Sequence, residues 1–181
     1  ITELFPFASL LEKVPIKKIT RFQENEYWII TFNRGLFLLN TASQTLTSYF
    51  DGDANRSKVT SIVLHDSKLV VACLQHLFYL LPQTNSNLYK IQPLLSGFSF
   101  PEIKEVFSYH DNLWIGTISE GCLLIQNPVD EKSPVKSFNK VSGGIGCFVT
   151  DTNDNLWIGT RGGGIVQYNP FTQTTEVASN S

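Results

Sequence analysis

Four polar side chains fall in short breaks between apolar runs, where they could meet a ligand. Arg34, His76, Glu120 and Arg161 stand in Asn33-Arg34, Gln75-His76, Ser119-Glu120 and Arg161-Gly162-Gly163. An arginine fork donates paired hydrogen bonds to carboxylates, sulfates or sugar hydroxyls. Gly162, Gly163 and Gly164 would allow a ligand close to the backbone. Solvated turn residues are the competing reading of all four positions.

Other chemistry finds little support. No GxSxG elbow presents a serine, and no base is positioned beside a Ser or Cys by any pattern in the sequence. Gly143-Gly144-Ile145-Gly146 and Arg161–Gly164 are glycine-rich, yet neither opens a helical pattern, so a phosphate-binding loop is not expected. Asp151, Asp154 and Glu120 are nominal acids for glycoside chemistry, which depends on a carboxylate separation in space. His65 and His110 recur in one kind of turn and His76 lies in another; none has zinc spacing, and no metal or cofactor site is expected. Asp66, Asp111 and Asp154 sit in hairpin turns, where hydrogen bonding to their own turn explains them.

Cys73, Cys122 and Cys147 form no CxxC pair, and each falls in an apolar, strand-like segment. They read as buried thiols serving as small hydrophobes; a disulfide between two of them is the alternative.

The elements that position these residues must be short and numerous. The 181 residues carry a formal charge of −2, which gives no electrostatic case for binding nucleic acid or an anionic membrane. Charged residues are 17% against 42% hydrophobic, enough apolar surface for a core and too much for disorder. Apolar runs such as Leu77–Leu81 are strand-sized and far below the roughly 18 residues of a membrane helix. No secretory signal stands at Ile1 and methionine is absent, so the chain reads as a processed or excised piece.

A repeat organises the whole. Asp111-Asn112-Leu113-Trp114-Ile115-Gly116-Thr117 recurs as Asp154-Asn155-Leu156-Trp157-Ile158-Gly159-Thr160, 43 residues later. Two periods before Trp114 lies Trp28, in Tyr27-Trp28-Ile29-Ile30-Thr31, and between them Val70 fills the tryptophan slot. Each copy has the same grammar. An apolar segment (Ile16–Phe22, Val59–Leu64, Ile103–Phe107, Ile145–Val149) meets a turn rich in Asp, Asn, Ser or His, and then the tryptophan-slot strand. A second turn ends in Gly35, Gly121 or Gly164, with His76 in the second copy. A third strand (Leu36–Leu39, Leu77–Leu81, Cys122–Ile125, Ile165–Tyr168) and a more polar fourth (Thr45–Phe50, Leu88–Ile91, Val135–Phe138, Thr174–Val177) close the unit.

Four antiparallel strands in about 43 residues is the spacing of a propeller blade. Helical repeats would need 3.6-residue periodicity over longer runs, and a sandwich gives no reason for a fixed echo. The expected fold is therefore an all-β β-propeller of about four blades, at 15–50, 58–92, 102–139 and 144–178. Residues 1–14 are expected to end a preceding blade or to close one, with Ile1–Phe7 as a strand. Repetition assigns Trp28, Trp114 and Trp157 to packing between blades, and Thr31, Thr117 and Thr160 to hydrogen bonding within the framework.

The motif Asn155–Thr160, followed by Arg161-Gly162-Gly163-Gly164-Ile165 and Tyr168-Asn169-Pro170, closely resembles the two-component regulator propeller repeat. The third copy matches through Leu113–Thr117, Gly121 and Asn127-Pro128; the first through Trp28, Thr31 and Gly35; the second, lacking both tryptophan and glycine, departs most. The resemblance spans roughly residues 15 to 178. It implies the periplasmic sensor region of a Bacteroidetes hybrid two-component histidine kinase. In that family two seven-bladed propellers and an immunoglobulin-like dimerisation domain precede a membrane helix, a kinase and a DNA-binding regulator.

On that resemblance the chain is expected to be a non-enzymatic, periplasmic sensor segment, part of a larger propeller, that binds an oligosaccharide and works in a homodimer through its parent protein. Its partners would be the remaining blades and signalling domains, and it would bind no nucleic acid itself. In propellers the second-to-third-strand turns surround the mouth of the central channel, which makes Arg34, His76, Glu120 and Arg161 the candidate ligand residues. The competing expectations are a propeller lyase or glycoside hydrolase, and a purely structural interaction module.

Overall fold

Asn25, Asp66, His110 and Asp154 take positive φ of 64, 45, 50 and 61°. Short polar side chains tolerate this left-handed region better than branched ones, and it lets an antiparallel hairpin reverse within a few residues. Each of these residues lies in the turn between a first strand and a second. In the computed structural model, which describes residues 8–54, 56–84, 86–128 and 132–178, the result is a succession of four-stranded antiparallel sheets.

The first sheet contains β1 (Ile16–Gln23), β2 (Glu26–Thr31), β3 (Leu36–Asn40) and β4 (Thr45–Tyr49), in that order. The second contains β5 (Val59–His65), β6 (Lys68–Cys73), β7 (His76–Pro82) and β8 (Tyr89–Leu94). The third contains β9 (Ile103–Tyr109), β10 (Asn112–Thr117), β11 (Cys122–Gln126) and β12 (Val135–Phe138). The fourth contains β13 (Ile145–Thr150), β14 (Leu156–Thr160), β15 (Ile165–Asn169) and β16 (Thr174–Ala178). Before β1, Ala8–Leu11 forms a single helical turn, α1; the strand expected over Ile1–Phe7 lies outside the described residues.

The chain divides into two compact units, Ile1–Thr60 with Pro82–Lys90, and Ser61–Leu81 with Ile91–Ser181. In the first, Trp28, Ile30 and Leu36 are fully buried. The Trp28 ring lies 5.6 Å from that of Tyr49 and 5.1 Å, edge-on, from that of Tyr89. Tyr89 is anchored at both ends: its hydroxyl donates to Glu26 Oε2 at 3.0 Å, and its backbone N–H donates to the Tyr49 hydroxyl at 3.0 Å.

In the second unit one apolar cluster joins Val70, Leu77, Phe100, Ile103, Ile115 and Ile125, and another joins Trp114, Cys122, Ile145, Phe148, Leu156 and Ile158. Burying each such side chain contributes roughly 1.5–3 kcal/mol. Successive sheets are also tied by hydrogen bonds that span about one repeat. His65 Nδ1 meets Ser108 Oγ at 2.8 Å, the Tyr79 hydroxyl donates to the Pro128 carbonyl, and the Tyr109 hydroxyl donates to the Asp154 carbonyl at 2.5 Å. Gly144 sits where a Cβ would lie 1.9 Å from the Ile118 carbonyl oxygen, so only glycine permits that approach of fourth sheet to third.

Strand alternation places the fourth sheet's two faces in different surroundings. Leu156, Ile158 and Val166 point into the cluster shared with the third sheet, so Trp157, between the first two, points the other way. Trp28 and Trp114 are 0 and 1% exposed, whereas Trp157 is half-buried and its indole N–H donates to Asp151 Oδ2 at 2.8 Å.

Cys73 and Cys122 are buried, but Cys147 is exposed, contrary to the reading of all three as core thiols. A register shift between Ile145 and Cys147 puts the thiol opposite Gly159, on the face that also carries Trp157.

Candidate functional site

The second-to-third-strand turns are built by one device repeated three times. The Thr31 hydroxyl donates to the Gly35 carbonyl at 3.0 Å and accepts the Arg34 N–H at 2.9 Å. Thr117 repeats this with Gly121 at 2.8 Å and Glu120 N–H at 2.9 Å, and Thr160 donates to Gly164 at 2.8 Å. Each glycine takes a φ between 74 and 80°, and a Cβ on Gly35 would lie 2.4 Å from the Tyr49 carbonyl oxygen. The threonine therefore fixes the main chain on which Arg34 and Glu120 ride.

Arg34 is engaged within its own unit. Its Nη2 lies 2.7 Å from Asp51 Oδ2, its Nε 3.4 Å from Oδ1, and its Nη1 donates to the Leu10 carbonyl at 3.1 Å. The hydrogen bond and the guanidinium charge hold the Asp51 carboxyl below its ordinary range, and the same pairing raises Arg34. A ligand carboxylate at Arg34 would have to displace Asp51. In the second unit His76, Glu120 and Arg161 are exposed, and among the described residues none bonds to another by hydrogen bond or ion pair. The Arg161 backbone N–H donates to the Gly144 carbonyl at 2.7 Å, and the His76 ring lies 6.5 Å from that of Phe78.

The first-to-second-strand turns hold the denser polar chemistry. Asp151 Oδ1 accepts the backbone N–H groups of Asn153 and Asn155 at 2.9 Å, and its Oδ2 accepts from Asn155 Nδ2 and Trp157 Nε1 at 3.0 and 2.8 Å. These donors, the Asn155 side chain foremost, bring the Asp151 carboxyl down to about 2. Asp154 does not bind its own turn through its side chain. Its Oδ2 lies 3.0 Å from His110 Nε2 in the third sheet, because the αL turn aims it outward. His65, 3% exposed, has its pKa lowered, chiefly by desolvation and against the pull of Asp66 and Asp111.

Beside His110 lies a cleft of about 480 Å³, wholly within the second unit, that residue types and spacing did not reveal. Asn112, Trp114, Leu124, Gln126 and Phe138 of the third sheet form one wall; Tyr168, Pro170, Phe171 and Gln173 of the fourth form the other. The Trp114 ring is 4.9 Å from Phe138 and 5.2 Å from Tyr168, and Phe171 at the mouth is 75% exposed. Its polar contributors are the carboxamides of Asn112, Gln126 and Gln173, the His110 imidazole, and the hydroxyls of Tyr109 and Tyr168. The available signal was Phe171, an aromatic residue in a turn where the other copies have none. Among the described residues no group of three or more His, Cys, Asp or Glu could hold a metal ion, and no helix is long and apolar enough to cross a membrane.

No family model matches the sequence, and no curated protein matches it either. Solved structures do. The extracellular domain of BT3049 from B. thetaiotaomicron, described as a hybrid two-component system, superposes with a TM-score of 0.69 at 21% identity, over 89% of this chain and 23% of that one. The extracellular domain of BT4673 from the same bacterium, described as a one-component system, gives 0.68 at 18% identity, over 92% and 22%. An ancestral GH74 enzyme gives 0.66 at 11% identity, over 92% and 24%. The chain thus spans about a quarter of the length of these three structures. The fold is that of β-propeller blades, four of them, each a four-stranded antiparallel sheet.

Proposed function

We propose that this chain is a non-catalytic segment of the extracytoplasmic, periplasmic sensor region of a hybrid two-component regulator, in which propeller blades bind an oligosaccharide and bias a histidine kinase. The observation that carries this reading is the superposition on the extracellular domains of BT3049 and BT4673 over about nine-tenths of the chain. The repeat centred on Asn155–Thr160 supports it independently. Signal transfer requires that the sugar bind two states of the parent homodimer with different free energy. Arg34 in the first unit, and His76, Glu120 and Arg161 in the second, are the proposed ligand contacts, each in its own second-to-third-strand turn, with Arg34 changing partner from Asp51 to the sugar.

The remaining blades of the parent are proposed as direct partners. Ile165, the first residue of β15, is 48% exposed, while its counterparts Leu36, Leu77 and Cys122 are 0, 1 and 2% exposed. A further sheet of the same repeat would cover it.

Thermal unfolding with neutral and acidic oligosaccharides tests the reading. Ligand at one hundred times its Kd stabilises by about 2.7 kcal/mol, which raises Tm by roughly 5–10 °C for a chain of this size. The rise is expected to shrink in Arg161→Ala and Glu120→Gln. A melting temperature indifferent to every sugar, in the chain and in its parent, overturns binding. Release of reducing ends from a polysaccharide would instead favour an enzyme, the reading to which the GH74 likeness lends its support.

A further inference from the structure

The turn that carries Phe171 does not need an aromatic ring to form. Asn169 Oδ1 accepts the backbone N–H groups of Phe171 and Thr172 at 2.9 and 3.0 Å, and the Thr172 and Thr174 hydroxyls meet at 2.8 Å. The first sheet makes the same turn. Asn40 Oδ1 accepts the N–H groups of Ala42 and Ser43 at 3.1 and 3.0 Å, and the Ser43 and Thr45 hydroxyls meet at 2.8 Å. Gln44 and Gln173 take matching φ of 53 and 56°. Alanine therefore suffices where Phe171 stands, and a fixed turn holds a 75% exposed phenyl ring at the mouth of the cleft. The cleft lies between the third and fourth sheets, so a blade beyond the fourth would not fill it. Trp114, 1% exposed, packs with Phe138 and Tyr168, which leaves the rim for a ligand.

The rim is polar and uncharged. Among the described residues the Asn112 and Gln173 side chains make no hydrogen bond, and Gln126 uses only its Oε1, which accepts from Lys136 Nζ at 2.5 Å. The His110 imidazole and the Tyr109 hydroxyl are both taken up by Asp154. Among the described residues no aspartate, glutamate, lysine or arginine lines the cleft. A carboxamide presents a donor beside an acceptor, which matches neighbouring hydroxyls of a sugar. A carboxylate or sulfate would lose water there without gaining a cation from the lining. We propose that the cleft is a subsite for an uncharged pyranose of an oligosaccharide, its apolar face laid on Phe171 and its hydroxyls bonded to Asn112, Gln126 and Gln173. About 480 Å³ lies in the range of ordinary small-ligand sites, and the fixed turn leaves little to order on binding. The inference rests on the oligosaccharide reading and adds to it a site and a preference for neutral sugars.

The test is calorimetric titration of the full chain with maltotetraose, cellotetraose, mannotetraose and xylotetraose, alongside tetragalacturonate and a chondroitin sulfate tetrasaccharide. At least one neutral sugar is expected to bind about tenfold or more tighter than either acidic one. Phe171→Ala, which gives this turn the residue the first sheet already has, should weaken that sugar about tenfold, and Phe171→Trp should keep or tighten it. Asn112→Ala should weaken it several-fold. Indifference to Phe171→Ala with loss in Arg161→Ala overturns the cleft and leaves the turn contacts standing. Loss in Phe171→Ala with indifference to Arg161→Ala supports the cleft and removes the turn contacts. Equal or tighter binding of the acidic sugars overturns the cleft, and absence of binding by every sugar overturns both.

Discussion

His65 illustrates how a single side chain can set the acid limit of the fold. It is 3% exposed, its Nδ1 meets Ser108 Oγ, and its Nε2 makes no hydrogen bond among the described residues, with Asp66 Oδ2 3.6 Å away. Burial lowers its folded pKa below the ordinary 6.5, so the unfolded chain binds the proton more readily. Stability from this residue is then fully present above about 6.5 and falls as pH drops through that value. Thermal melts between pH 7.5 and 5 should show Tm declining, and His65→Gln should flatten that decline. An unchanged pH profile in the variant would remove His65 from the account. Asp151 acts in a separate window. Its carboxyl is lowered to about 2, so its contribution holds above the ordinary value near 4 and is lost as pH falls towards 2. Asp151→Ala should lower Tm at pH 7 and lose its effect near pH 2.

At the scale of elements, the threonine-to-glycine turn is the most transferable part. Thr117 is fully buried and its hydroxyl makes two hydrogen bonds, at roughly 0.5–1.5 kcal/mol each. Thr117→Val keeps shape and removes both, so denaturant unfolding should show a loss of about 1–3 kcal/mol. Thr160→Val, in a more exposed copy, should lose less. This device was legible in the sequence because it is local: Thr31, Thr117 and Thr160 each stand four residues before a glycine. The strands were legible for the same reason, since alternation and turn residues repeat every 43 positions. The cleft was not. Its walls come from residues 112–138 in one sheet and 168–173 in the next, and no short window of sequence holds both. Cys147 was misread because the bulge after Ile145 changes which face its side chain takes, and an apolar run does not reveal its own phase. Arg34 looked available because its partner, Asp51, lies 17 residues away.

At the scale of the whole molecule, the second unit shows what one sheet does for the face before it. The third sheet's Trp114 and Cys122, 1 and 2% exposed, lie in the cluster that Ile145, Phe148, Leu156 and Ile158 of the fourth complete. The opposite face of the fourth sheet, equivalent to the one that carries Trp114 and Cys122 in the third, carries Cys147, Val149, Trp157 and Ile165, with Val149 57% and Ile165 48% exposed. If a further blade of the parent covers that face, reactivity should report it. Cys122 is buried and its thiol is pushed well above its ordinary pKa by desolvation, so it should label slowly with a maleimide. Cys147, exposed, should label fast in this chain and at least about tenfold more slowly in the longer parent, as burial removes a thiolate from solvent. Equal rates in the two proteins would mean that the fourth sheet stays uncovered, and the proposed neighbouring blade would have to be withdrawn.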